Sequence, residues 1–179
     1  ERAPSLVGSE MCIRDRNSSS KKQIEKNLVL IGGGHSHLNV LKSFAMNKID
    51  GLRITLISDV YETPYSGMLP GYIENDYSLD DIKVDLYKIC YHGNFRFIDS
   101  EVNDIDGNKK LIYFKNRPPL NFDYLSINIG INNDTKKIKN ADKFALRLKP
   151  ISKIDYNEII NNLEGKKVGI IGSGPAGVE

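Results

Sequence analysis

Two glycine turns, one early in the chain and one at its far end, constrain the fold more than any other feature. The first is Leu28-Val29-Leu30-Ile31-Gly32-Gly33-Gly34-His35-Ser36-His37-Leu38. A short apolar run meets a glycine cluster and a helical pattern starts at once, which is the order strand, tight turn, helix. Gly32 can take the positive φ such a turn needs, and Gly34 lets the backbone approach a ligand with no Cβ in the way. The next helix points its free N–H groups and its positive dipole end at the turn, so the ligand that suits the place is a pyrophosphate. The second turn is Val168-Gly169-Ile170-Ile171-Gly172-Ser173-Gly174-Pro175-Ala176-Gly177-Val178-Glu179. One such turn is weak evidence. Two imply two dinucleotides, and two dinucleotides imply electron transfer between them.

The bulk properties exclude several alternatives. A net charge of +2 on 179 residues leaves no nucleic-acid footprint. The apolar runs are strand-sized, too short to span a membrane as a helix. The two cysteines, Cys12 and Cys90, form no CxxC or CxxxxC pair, which removes dithiol redox chemistry from this stretch. There is no metal-ligand spacing and no arguable Ser/His/Asp arrangement.

Residues 1–16 read as an artefact. Glu10-Met11-Cys12-Ile13-Arg14-Asp15 back-translates codon by codon into the end of a transposase adapter used for sequencing libraries. We set this segment aside as one would a tag. Residues 17–26, polar and Ser/Lys-rich, are expected to form a flexible lead-in.

Beyond the lead-in the pattern predicts a strand over 28–31 and a helix over 35–46, with Leu38, Leu41, Phe44 and Ala45 on one face. Arg53–Ser58 is a second strand, parallel to the first. Its end should meet a ribose, where Rossmann-type sites usually place Glu or Asp. Ser58 stands there and Asp59 follows. Two alternatives are open: Asp59 reaches back, or Ser58 accepts one hydroxyl. Tyr61-Glu62-Thr63-Pro64-Tyr65-Ser66-Gly67-Met68-Leu69-Pro70-Gly71-Tyr72 has no clean period and reads as a long loop at the carboxyl end of a strand, where open α/β sheets bind ligands. Ser78-Leu79-Asp80-Asp81 resembles a capping box and starts a helix to about residue 91, with Ile82, Leu86 and Ile89 inward. Cys90 on that helix reads as a small buried hydrophobe. A strand over 95–98 leads into a hairpin whose turn is Asp106-Gly107-Asn108. Residues 122–130 form a buried strand leaving through Gly130. Residues 132–143 are a solvated loop, 152–163 a short helix, and 167–171 the strand feeding the second glycine turn.

In this order, strand–GGGxxH–helix, ribose strand, Pro/Tyr-rich loop, β-meander, Asp123-Tyr124-Leu125 strand and a second GxGxxGxE, the chain resembles the pyridine nucleotide-disulfide oxidoreductases of the type II NADH dehydrogenase kind. The Gly-Gly-Gly-His-Ser-His and Tyr-Ser-Gly-Met-Leu-Pro-Gly stretches look most like a branch associated with, or fused to, selenide, water dikinase. The resemblance implies an α/β, Rossmann-like FAD/NAD(P)-binding fold with a central parallel sheet plus a β-meander, truncated here. It implies the first part of an FAD-binding domain over 27–163 and the start of an NAD(P)-binding domain over 164–179. By match, Gly32, Gly33, Gly34, His35, Ser36 and His37 would hold the FAD pyrophosphate, with Ser58 or Asp59 at its ribose. Pro64, Tyr65 and Ser66 would lie over the flavin, and Asn128 and Gly130 at the strand exit beside it. Gly172, Gly174 and Gly177 would hold NAD(P)H, with Glu179 near the nicotinamide.

Two departures stand out. His37 replaces the third glycine of the first turn, and Ser58 stands where the ribose carboxylate is usual; the cysteines of sulfide:quinone reductases are also missing from this region. His37 and Tyr65 are the candidate catalytic residues. Either the His37 ring fills the space left by the glycine, or it hydrogen-bonds the cofactor or the Tyr65-Ser66 loop. The implied protein is an NAD(P)H-dependent flavin oxidoreductase with a quinone or a small molecule as acceptor, and this stretch alone is expected to be inactive. The alternative is a non-catalytic flavin module that regulates a fused or neighbouring selenide, water dikinase. Either would be cytoplasmic, or peripheral at a membrane.

Overall fold

The computed structural model describes residues 23–132, 135, 138–151, 154–156, 161, 163, 165–172 and 174–178. The expectations for residues 1–22, for Glu179 and for most of the helix over 152–163 lie outside these.

Strand β1 (Lys26–Ile31), helix α1 (His35–Met46) and strand β2 (Leu52–Ser58) form the first βαβ unit, with Leu28 opposite Ile54 and Ile31 opposite Ile57. Two further parallel strands, β5 (Arg96–Asp99) and β9 (Tyr124–Ile127), complete a four-stranded sheet of order β5-β2-β1-β9. The apolar runs are continuous because both faces of the inner strands are covered. Leu30, Ile54 and Leu56 pack on one face with Leu41 of α1 and with Leu86 and Cys90 of α4 (Leu86–Gly93). Val29, Ile31, Ile57 and Ile98 face the other way, onto Ile112. Ile112 belongs to the expected meander, an antiparallel sheet of β6 (Val102–Asp106), β7 (Leu111–Phe114) and β8 (Leu120–Asn121).

Cys90 is buried, and burial pushes its thiol pKa up to about 12, so it is the inert hydrophobe its position suggests. Asp123, just before β9, accepts a 2.7 Å hydrogen bond from the Asn27 N–H and pairs with Lys26 at 3.4 Å, which pins the start of β9 to the start of β1.

Four expectations need correction. The helix read from Ser78 to about residue 91 is two helices, α3 (Leu79–Ile82) and α4, separated by β4 (Lys83–Asp85). The capping box forms as read: Ser78 Oγ accepts from the Asp81 N–H, and the Asp81 carboxylate accepts from the Ser78 N–H at 2.9 Å. The chain then turns extended because β4 pairs antiparallel with β3 (Glu62–Pro64), a strand inside the stretch read as loop. Asp85 caps α4 by accepting from the Lys88 N–H at 2.8 Å. The hairpin forms as read, with Lys110 left-handed in its turn (φ 54°) and Asp106 accepting from the Asn108 and Lys109 N–H groups. Strand β9 is only half-buried, with Tyr124 and Ile127 exposed, because among the described residues it is the edge of the sheet. Residues 167–171 pair with no strand among the described residues, and Val168, Ile170 and Ile171 are exposed. An apolar run becomes a strand only when a neighbour supplies its hydrogen bonds.

A third cluster packs Tyr156 and Ile154 onto Leu69 and Tyr72 of α2 (Leu69–Ile73), beside Ile82. The Tyr156 hydroxyl donates to the Ile151 carbonyl at 2.7 Å. Residues near the second turn's approach thus cover the Pro/Tyr-rich segment. No helix among the described residues is long and apolar enough to cross a membrane.

Leu86 links the core to the first turn, since a Cβ on Gly33 would strike its side chain. Leu86→Ala should lower stability by about 2–5 kcal/mol. Urea unfolding followed by circular dichroism measures this, and an unchanged midpoint would contradict the packing.

Candidate dinucleotide site

The first turn is built against its neighbours on both sides. Gly32 leaves β1 with φ +91° and donates to the Ile57 carbonyl of β2 at 2.8 Å. A Cβ on Gly32 would run into the backbone carbonyl of Asn128. Asn128 follows β9, donates to the Ile31 carbonyl at 2.8 Å and accepts from the Gly34 N–H at 3.2 Å. Gly34 itself has an ordinary extended backbone (φ −66°, ψ 161°). Its glycine requirement is steric, because a Cβ there would meet the Asn128 side chain. Only Gly32 needs the left-handed region.

His37 is 1% exposed, and both ring nitrogens are engaged. Nδ1 lies 2.7 Å from the Gly32 carbonyl and Nε2 lies 2.9 Å from Ser126 Oγ of β9. A carbonyl only accepts, so Nδ1 carries the proton and Ser126 donates to Nε2. Burial pushes the pKa of His37 below its ordinary value, partly offset by the hydrogen bond to Gly32. The ring therefore joins the turn to β9, and reaches neither Tyr65 nor Ser66. Tyr65 packs instead on His35, with ring centroids 4.8 Å apart. Its N–H donates to the Ile82 carbonyl at 2.7 Å, which holds the loop onto α3. Pro64 ends β3, and Ser66 starts a single turn of 3-10 helix over Ser66–Met68.

A phosphate would need donors left over from this construction. Among the described residues the N–H groups of Gly33, His35 and Ser36 have no partner. They belong to the turn and to the first turn of α1, where such donors stay free for an anion. The bare Gly32–Gly34 backbone and these donors fit a pyrophosphate.

At the end of β2, Ser58 is buried and its Oγ accepts from the Val60 N–H at 3.2 Å, while Asp59 is exposed. Gly130 is left-handed (φ +75°), and a Cβ there would meet nothing within 4 Å, unlike one on Gly32 or Gly34. A groove of about 690 Å³ opens beside the loop between α1 and α4, with His35, Tyr65, Lys42 and Lys88 in its lining; it does not include the glycine turn.

The second turn repeats the first in outline. Gly172 is left-handed (φ +127°), and Gly177 of α5 (Pro175–Val178) donates its N–H to the Gly174 carbonyl at 2.9 Å. A Cβ on Gly177 would strike the Gly172 carbonyl. The first turn has His37 in that place, hydrogen-bonded to the matching carbonyl. Glu179 lies outside the described residues.

No family model matches the chain. It is 28% identical over 161 residues to an NADH dehydrogenase-like protein, YutJ, of Bacillus subtilis (strain 168), covering 86% of this chain and 43% of that one. The NDH2 of Plasmodium falciparum in complex with NADH superposes with a TM-score of 0.56 at 23% identity, over 67% of this chain and 25% of that one. The sulfide:quinone oxidoreductase of Aquifex aeolicus gives 0.51 at 27% identity, over 59% of this chain and 24% of that one. The fold is the Rossmann-like fold of the FAD/NAD(P)-binding oxidoreductases. The similarities as a set support the pyridine nucleotide-disulfide oxidoreductase family. The chain spans less than half the length of the curated relative and about a quarter of each solved one.

Two outcomes follow from this geometry. Gly34→Val should empty the turn of flavin in the intact protein by forcing Asn128 aside; normal flavin occupancy in the purified variant would show that the phosphates bind elsewhere. His37 stays neutral in the fold while its unfolded counterpart protonates near the ordinary value of about 6.5. Stability is therefore full above that pH and falls as pH drops toward the lowered folded value. The urea midpoint should decline as pH falls below the ordinary histidine value of about 6.5, and His37→Gln should flatten that decline.

Proposed function

We propose that the protein to which this chain contributes is an NAD(P)H-dependent flavoprotein oxidoreductase, in which this chain provides the first part of the FAD site and the opening turn of the nicotinamide site. The observation that carries the reading is the pair of GxGxx turns, each with its first glycine left-handed, within a fold of the matching kind. Similarity to an NADH dehydrogenase-like protein supports the same redox class.

Bound FAD would supply the two-electron centre that takes hydride from the nicotinamide and passes electrons on. The chain's own part is placement. The free N–H groups of Gly33, His35 and Ser36 offset the pyrophosphate charge without bringing in a side chain. Asn128 closes the turn from the β9 side. The Pro64-Tyr65-Ser66 segment, fixed by the bond to Ile82 and the ring of His35, is poised to exclude water from the flavin. His37 is a positioning residue, since both its nitrogens are spent on Gly32 and Ser126. The acceptor classes to try are a quinone and, from the resemblance to the kinase-associated branch, a selenium compound.

The test is the visible spectrum of the intact protein. It should show bound flavin that bleaches on anaerobic addition of NADH or NADPH. A colourless protein that gains no flavin absorbance from added FAD would overturn the proposal.

A further inference from the structure

The sheet order gives the dinucleotide site a direction. From the Gly32–Gly34 turn at the end of β1, the carboxyl ends of β2 and then β5 lie to one side, and β9 to the other. Strands stand about 4.8 Å apart, so β5 is roughly 10 Å from the turn. An adenosine laid that way with its phosphates on the turn puts its ribose over β2 and its base over β5.

The residue at the end of β5 is Asp99, the register partner of Ser58. It is an exposed carboxylate with a fixed position. Its Oδ2 accepts from the Tyr61 hydroxyl at 2.7 Å. The Tyr61 ring is in turn held against Phe97, with centroids 5.5 Å apart, and edge-on to Tyr87 at 6.4 Å. Oδ1 has no partner among the described residues. The two groups nearer the turn are less suited to reading a base: Ser58 spends its hydroxyl on Val60, and Asp59 carries no hydrogen bond among the described residues.

We propose that Asp99, oriented by Tyr61, reads the adenine of the bound dinucleotide by accepting a hydrogen bond from its exocyclic 6-amino group. This rests on the assignment of the Gly32–Gly34 turn to a dinucleotide pyrophosphate. An ionised carboxylate only accepts, so it pairs with an amino group and repels the 6-oxo group of hypoxanthine or guanine. A fixed acceptor therefore selects the 6-amino purine, and the penalty on the wrong base comes from an unpaired charge facing an oxygen.

Calorimetric titration of the intact protein, freed of bound flavin, with ADP and with inosine 5′-diphosphate tests this, because the two differ at the 6-position. Wild type should bind ADP about tenfold more tightly than inosine diphosphate, the order expected for one hydrogen bond to a charged group. Asp99→Ala should remove most of that preference, and Asp99→Asn should abolish or invert it, because an amide can donate to the 6-oxo group. Tyr61→Phe should reduce the preference without abolishing it. Asp99 and Tyr61 are exposed, so circular dichroism should show each variant folded as wild type. An ADP preference that survives Asp99→Ala overturns the role of Asp99 while the dinucleotide assignment stands. Equal wild-type binding of the two nucleotides has the same consequence. No binding of ADP or FAD by the intact wild-type protein overturns both.

Discussion

The contact between Gly32 and Asn128 governs the site. Gly32 can lie against the Asn128 carbonyl only because it has no side chain and takes a positive φ. That approach lets β9 pair with β1 to its last residue and lets Asn128 accept from the Gly34 N–H. Gly32 also donates to Ile57, so the turn is tied to both neighbours of β1. The three N–H groups left over are then held where an anion would use them, with no reorganisation on binding.

Much of this was legible in the residues. The first helix starts and stops where its apolar spacing begins and ends, at His35 and Met46, and the Ser78–Asp81 capping box forms as its residues suggest. Local chemistry decides such features. The misread segments are those decided by a distant partner. Residues 62–64 and 83–85 carry no strand signal of their own and become strands by finding one another. Asp85 did carry a signal, a second N-cap residue inside a stretch with helical spacing, and reading it would have split the helix correctly. Residues 167–171 show the reverse case, a strong strand pattern without a neighbour to pair with among the described residues.

The same reasoning applies to the side chains of the site. That His37 occupies a glycine position was visible in its spacing, but its two partners were not, because Ser126 lies 89 residues away in the chain. Comparison of the turns explains the exchange. Five residues after the first glycine, each chain segment comes back against that glycine's carbonyl. Gly177 meets the Gly172 carbonyl by having no side chain, whereas His37 meets the Gly32 carbonyl with a donor. The imidazole thus satisfies a carbonyl and adds a strut to β9. The partners of Asp123 and Asp99 escaped notice for a related reason. A lone aspartate at a strand end looks like a turn former until the neighbouring strand shows what it faces.

The edge position of β9 has a practical consequence. Its outer side carries no paired strand among the described residues, and Tyr124, Ile127, Ile129 and Ile131 are exposed along it and just beyond. An open ladder flanked by isoleucines is a template for pairing with any other extended chain. Produced by itself, this stretch would present that template to its own copies, so its behaviour in solution would depend on concentration. A soluble preparation needs the edge covered or capped with charge before any cofactor chemistry can be measured on it.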